Sequence, residues 1–131
     1  MEKIKYKIYN SDKKEVNEYV NASIAIDGGV QTFGKDGRIQ GTLINRHLVP
    51  MLYAGKKDID GNEIFDGYIV KRESTGPGEE DIVGAIVFDE CSWWIENRKE
   101  GRAVRLFSET AVDKIIGNLF QDVELSESIG F

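Results

Sequence analysis

Ile82-Val83-Gly84-Ala85-Ile86-Val87-Phe88-Asp89-Glu90-Cys91-Ser92-Trp93-Trp94-Ile95 contains two runs of β-branched and aromatic side chains on either side of a polar interruption. Such side chains suit a pleated, half-buried surface. With Asp89-Glu90 as the turn, the segment predicts a central hairpin. Successive side chains of a strand point to opposite faces, so Trp93 and Trp94 are expected to part, one toward the core and one toward solvent. A tryptophan on the solvent side offers a large contact area for little rotamer entropy, which makes it a candidate anchor for a protein partner. Cover by the chain's own N-terminal segment or by a second copy is the competing expectation.

Working outward, the same grammar of short strands and tight turns recurs. Toward the N-terminus, Met51 to Ala54, Ile64-Phe65 and Tyr68 to Lys71 read as strands bounded by Gly55, Asp60-Gly61 and Asp66-Gly67. Further back, Ser23 to Ile26 and Val30 to Phe33 flank Asp27-Gly28-Gly29, a hairpin signal. Asp36-Gly37 leads to Ile39, Leu43-Ile44 and Leu48-Val49, and Pro50, having no N–H, suits an edge or a strand start. Ile4, Tyr6 and Ile8 alternate with Lys5, Lys7 and Tyr9 as a first strand, and Asn10-Ser11-Asp12 supplies a turn. Between the central hairpin and the strand before it, the stretch from Ser74 to Asp81 is polar, glycine-rich and acidic, an exposed loop. On the C-terminal side, Ala103 to Phe107 alternates. Ser108 is placed to cap one helical turn over Glu109-Thr110-Ala111 before a strand resumes at Ile115 to Leu119. Residues beyond Asp122 are expected to fray, with Leu125 and Phe131 able to dock. The fold predicted is mainly β with little helix. The four Asp-Gly dipeptides are unevenly spaced and mark turns, not repeats.

At 131 residues the chain fits one domain, with 40% hydrophobic and 31% charged residues, enough for a core and a wetted surface. Its longest apolar runs are far shorter than a membrane span of roughly 20 residues. The opening Met1 to Lys7 carries charge without an apolar core, so no signal peptide is expected and the cytoplasm is the predicted compartment. The lone cysteine, Cys91, rules out an intrachain disulfide and a paired-thiolate zinc site. A net charge of −6, from 23 acidic and 17 basic side chains, opposes generic nucleic-acid binding.

Candidates for chemistry are few. Asp58-Ile59-Asp60-Gly61-Asn62-Glu63 suggests a calcium loop, but counting from Asp58 puts Glu63 where that loop needs glycine and Ile69 where it needs an acid. Turn formation is the expected role, and no metal is predicted. His47 is the only histidine, with no sequence-local group to orient it, and is expected at the surface. Cys91, beside Trp93, is expected to be buried and inert. Gly76-Pro77-Gly78 lacks the lysine and following helix of a phosphate cradle. No catalytic residue and no cofactor site is predicted.

Tyr53-Ala54-Gly55-Lys56-Lys57-Asp58-Ile59-Asp60-Gly61-Asn62-Glu63-Ile64-Phe65-Asp66-Gly67-Tyr68-Ile69-Val70 closely resembles the signature of the YopX family. Ile4-Lys5-Tyr6-Lys7-Ile8-Tyr9 and Ile115-Ile116-Gly117-Asn118-Leu119-Phe120 also resemble its first strand and terminal block. Two departures stand out: Tyr68 where aspartate is usual after the second turn's glycine, and Tyr9-Asn10 where a tryptophan-aspartate pair is usual. The resemblance implies a phage or prophage protein of uncharacterised function. It also implies a small SH3-like barrel over residues 50–122, after an N-terminal β lobe over 1–49 and before a tail over 123–131. It transfers no catalytic residues. The function expected is a non-catalytic protein-binding or assembly module presenting Tyr53, Tyr68 and Trp93 or Trp94, with self-association possible through an open sheet edge. The alternative is a nucleic-acid-associated barrel, which needs Lys3, Lys5, Lys7, Lys71, Arg72 and Arg102 or Arg105 on one surface. A small hydrolase using Asp58, Asp60, Glu63 or Asp66 ranks third, since it needs those acids around a concave pocket.

Overall fold

A computed structural model describes residues 5–17, 22–24, 30–32, 48–74, 76 and 80–131. His47, Lys3, the Asp27-Gly28-Gly29 connection, the Asp36-Gly37 region and most of Gly76-Pro77-Gly78 lie outside the described residues. The chain divides into two compact units, Met1–Leu52 and Tyr53–Phe131.

In the first unit, strand β1 (Tyr6–Asn10) lies antiparallel to β2 (Glu15–Asn17) and, on its other side, to residues 48–52 of β5 (Leu48–Lys57). Ile8, Tyr9, Leu48 and Met51 are buried. The turn out of β1 is held by the Asn10 side chain, whose Oδ1 accepts from the N–H groups of Asp12 and Lys13, the local chemistry expected of an Asn-Ser-Asp sequence. Strands β3 (Ala22–Ile24) and β4 (Val30–Thr32) pair antiparallel.

In the second unit, residues 53–57 of β5 pair with β6 (Glu63–Phe65). The expected turn at Gly55 is instead a break in register inside one strand. Gly55 takes φ +88°, which lets the strand bend without ending. The Asp60-Gly61 and Asp66-Gly67 turns form as expected, each glycine at φ +83°. The main sheet has five antiparallel strands in the order β10-β9-β8-β7-β11. These are β7 (Tyr68–Ser74), β8 (Ile82–Asp89), β9 (Ser92–Asn97), β10 (Arg102–Arg105) and β11 (Ala111–Asn118). Four strands meander and the fifth returns to pair with the first, an order compatible with a small barrel. One face packs Ala54, Ile64, Val70, Ile82, Ile86, Ile95 and Leu106 into a core. The chain is thus mainly β.

The central hairpin is present, β8 against β9, with its turn one residue later than expected. Asp89 pairs with Ser92, so Glu90 and Cys91 occupy the two turn positions, at φ 49° and 61°. A two-residue hairpin that matches strand twist needs both central residues left-handed. Cys91 is therefore exposed, which overturns its expected burial. Left-handed backbone costs a non-glycine residue roughly 1–2 kcal/mol. Replacing Glu90-Cys91 by Asn-Gly is expected to raise stability by about 1 kcal/mol, read as a higher urea midpoint with an unchanged slope.

Two C-terminal expectations are corrected. No helical turn forms at Ser108, where Thr110 instead donates its N–H to the Ser108 hydroxyl and the chain enters β11 at Ala111. The expected frayed tail is a short helix, α1 (Val123–Ser128), followed by a buried Ile129. Ile129 offers its carbonyl to the N–H groups of Arg98 and Lys99, and Phe131 lies under the Arg98 guanidinium at 3.9 Å. On the second sheet face, Ile129 packs with Ile69 and Ala85, and Leu119, Leu125 and Phe131 join them. Counting charges at the terminus misses this, because the three apolar side chains are spaced to reach one site.

Candidate functional site

Of the acids proposed for chemistry, Asp58 is occupied as a backbone acceptor. Asp58 is buried, and its Oδ1 accepts from the N–H groups of Asp60 and Asn62 while its Oδ2 accepts from Ile115 N–H at 3.1 Å. Ile59 N–H adds a bond to the Asp113 carbonyl. The 58–63 segment is thus a turn that also fastens β11. Among the described residues no group of His, Cys, Asp and Glu is arranged to hold a metal ion. Asp66 sits in the two-residue link between β6 and β7. Burial pushes its carboxyl above the usual range, partly offset by a hydrogen bond from Gly67 N–H.

A second buried acid organises the far end of the sheet. Asp113 on β11, its side chain fully buried, receives Arg72 Nε at 2.6 Å and Nη2 at 2.9 Å, together with Lys56 Nζ at 3.0 Å. Burial pushes the Asp113 carboxyl up, but hydrogen bonds from Arg72 and Lys56, with their charges, outweigh this and hold it below the usual range. The Arg72 guanidinium also donates to the carbonyls of Arg105 and Leu106, and Lys56 donates to the Leu106 carbonyl. Three elements therefore pin the chain where it leaves β10.

Two adjoining clefts open at that end. One, of about 490 Å³, is lined by Arg72, Arg102, Val104, Arg105 and Phe107, with Ser74, Glu80 and Ser108 at its margin. The other, of about 250 Å³, is lined by Cys91, Ser92, Trp93, Arg105 and Phe107. Phe107 is 56% exposed, and Phe88, 57% exposed, lies against Trp93 with ring centroids 5.2 Å apart and the rings tilted at 58°. Trp93 also packs on the core, whereas Trp94 donates its indole N–H to the Asp89 carbonyl and lies 5.6 Å from the Arg105 guanidinium. Both tryptophans are half-buried.

Tyr53 and Tyr68 lie apart from these clefts. Each ring is 5.6 Å from Phe65, itself buried, so the three form one aromatic row, and Tyr68 also packs on the core. Phe88 and Phe107 went unremarked in the sequence. Their signal was position: each is the last apolar residue of a strand-like run. Arg72, Arg102 and Arg105 do converge, as a nucleic-acid surface would require, but two of them are already engaged. Arg72 is bound to Asp113, and Arg102 lies 3.2 Å from Glu100 and 3.7 Å from Glu80. Lys71, next to Arg72 on β7, points to the other face. Among the described residues no helix is long and apolar enough to cross a membrane.

Comparison with known proteins agrees with the fold. The chain is similar to the crystal structure of the protein yopX from Bacillus subtilis, with a TM-score of 0.60 and 20% identity over 92% of this chain and 95% of that one. It is similar to an Enterococcus faecalis protein with a TM-score of 0.53 and 19% identity, over 94% and 97% of the two chains. No functionally curated protein matches it. The YopX protein family model matches residues 2–127, nearly the whole length, and the chain therefore belongs to the YopX family.

Proposed function

We propose that the chain is a non-catalytic binding module, encoded by a phage or prophage and acting in the bacterial cytoplasm, that holds a protein partner on the Phe88, Trp93 and Phe107 surface. One observation carries this reading: Phe107, more than half exposed, lines adjoining clefts with Trp93 and Arg105, and Phe88, equally exposed, lies against the Trp93 ring. Aromatic and arginine side chains at such positions are the residue types that dominate binding energy at protein interfaces. Asp58, by contrast, serves a turn, and Asp113 a buried ion pair.

The test is co-purification of the tagged chain from the bacterium that encodes it, beside a Phe88→Ala, Phe107→Ala double variant. Losing two anchors at about 2 kcal/mol each is expected to reduce recovery of the partner by well over tenfold. Because both side chains are exposed, the thermal midpoint should move little. A partner recovered equally with both proteins contradicts the reading. Nucleic acid recovered with both and released by salt favours the alternative, a nucleic-acid-associated barrel.

A further inference from the structure

The five-stranded sheet ends at β10, and its neighbours fix where the backbone groups of that strand point. Leu106 N–H donates to the Trp93 carbonyl. In antiparallel register the bonded pairs alternate, so Val104 with Ile95 and Arg102 with Asn97 also face β9. Ala103 and Arg105 therefore turn their backbone groups outward. The Arg72 guanidinium takes the Arg105 carbonyl. Among the described residues nothing takes the N–H and C=O of Ala103 or the N–H of Arg105, and both residues are exposed. The opposite edge is treated differently: on β11 the Asp113 carbonyl and Ile115 N–H are bonded by the 58–63 turn.

A short strand carrying arginines is one way to protect an edge from pairing. Here, however, the larger cleft runs beside the edge and is lined by Arg102, Val104 and Phe107. A strand added to β10 would send every second side chain to the Val104 face and the intervening ones to the Ala103 and Arg105 face, with Phe107, beyond the end of β10, lining the same cleft as Val104 and Arg105. Arg102 is shared with Glu80 and Glu100, whereas Arg105 has no carboxylate partner among the described residues. The charge selection falls to Arg105.

We propose that the free edge of β10 accepts an extended segment of a protein partner by strand addition, its apolar side chains in the Val104 and Phe107 cleft and its alternate carboxylates toward Arg105. The proposal rests on the protein-binding reading above and names the chemistry of the partner.

The test is NMR on the full chain with a blocked peptide alternating Glu and Val. Comparators are its Lys-Val counterpart and a Glu-Val version N-methylated at every residue, which leaves neither of its edges able to pair. The Glu-Val peptide is expected to shift the Ala103 and Arg105 amides and slow their hydrogen exchange about tenfold, with neither comparator doing so. Arg105→Glu is expected to reverse the preference toward the Lys-Val peptide. Equal shifts with the N-methylated peptide, or no shift at Ala103 with any peptide, overturn the proposal. Shifts confined to Phe88 and Trp93 overturn strand addition while leaving the protein-binding reading standing. Protection of Ala103 that rises with chain concentration alone assigns the edge to a second copy and overturns the acidic-peptide assignment. Protection by the peptide together with equal partner recovery by the Phe88 and Phe107 variant would keep the edge and overturn the part given to Phe107 in both the aromatic surface and the cleft.

Discussion

Asp113→Ala is expected to destabilise the chain by about 3–5 kcal/mol, the usual cost of removing one partner from a buried ion pair. The loss comes less from the attraction removed than from the charge left behind. The Arg72 side chain is 6% exposed and would keep its guanidinium facing an apolar core with only the Arg105 and Leu106 carbonyls as acceptors. Two comparisons separate these contributions in urea unfolding. Asp113→Asn keeps the shape and should cost less than alanine. An Arg72→Met, Asp113→Ala double variant should be more stable than Asp113→Ala alone, because no unpaired charge remains. Equal stability of wild type and Asp113→Ala would show that the network does not hold this end of the sheet.

The same carboxyl sets an acid limit. Its folded pKa lies below the unfolded one. It therefore contributes stability in full above roughly pH 4–5, and that contribution is lost as pH falls through the folded value. Asp66 acts in the opposite sense. Its folded pKa is raised, so its contribution is present at low pH and declines as pH rises through the folded value. Asp66→Asn should remove that decline and leave the acid loss due to Asp113 unchanged, which measurements of stability against pH would separate.

Asp58→Ala is expected to cost about 2–3 kcal/mol, since an unsatisfied buried donor costs roughly 1–3 kcal/mol and Ile115 N–H is on the least exposed of the three residues that donate to Asp58. Asp60 and Asn62 N–H groups lie in an exposed turn and can be hydrated, which keeps the total below a threefold loss. The substitution also separates two accounts of the acidic segment. If turn formation is its role, adding calcium leaves the thermal midpoint of wild type unchanged, and Asp58→Asn, which keeps one acceptor oxygen, is milder than alanine. A calcium-dependent rise in midpoint that Asp58→Ala abolishes would restore the metal reading.

How far the sequence reveals these features depends on the range of the interaction. The Asp-Gly turns at 60–61 and 66–67 and the β8–β9 hairpin were legible because each is decided by a few adjacent residues. Gly55 was misread because glycine serves a turn and a register break equally well, and only the partner strand distinguishes them. Cys91 was misplaced by one turn position, since Asp89 and Glu90 are the more turn-like pair and the pairing of Asp89 with Ser92 is a tertiary fact. The tail was misjudged because Arg98 and Lys99, far from it in sequence, supply the donors that fix Ile129. Arg72 and Asp113 are 41 residues apart, and no local pattern announces that they meet. The candidate clefts were invisible for the same reason: Trp93, Arg105 and Phe107 become neighbours only when β9 and β10 are in register.

The most direct test of the binding account is hydrogen–deuterium exchange of the full chain with and without its co-purified partner. The account predicts slowed exchange in two segments, 88–94 and 102–108, with the 58–67 turns unchanged. Protection centred on the 58–67 turns, or on the Tyr53, Phe65 and Tyr68 row with both predicted segments unaffected, would contradict it.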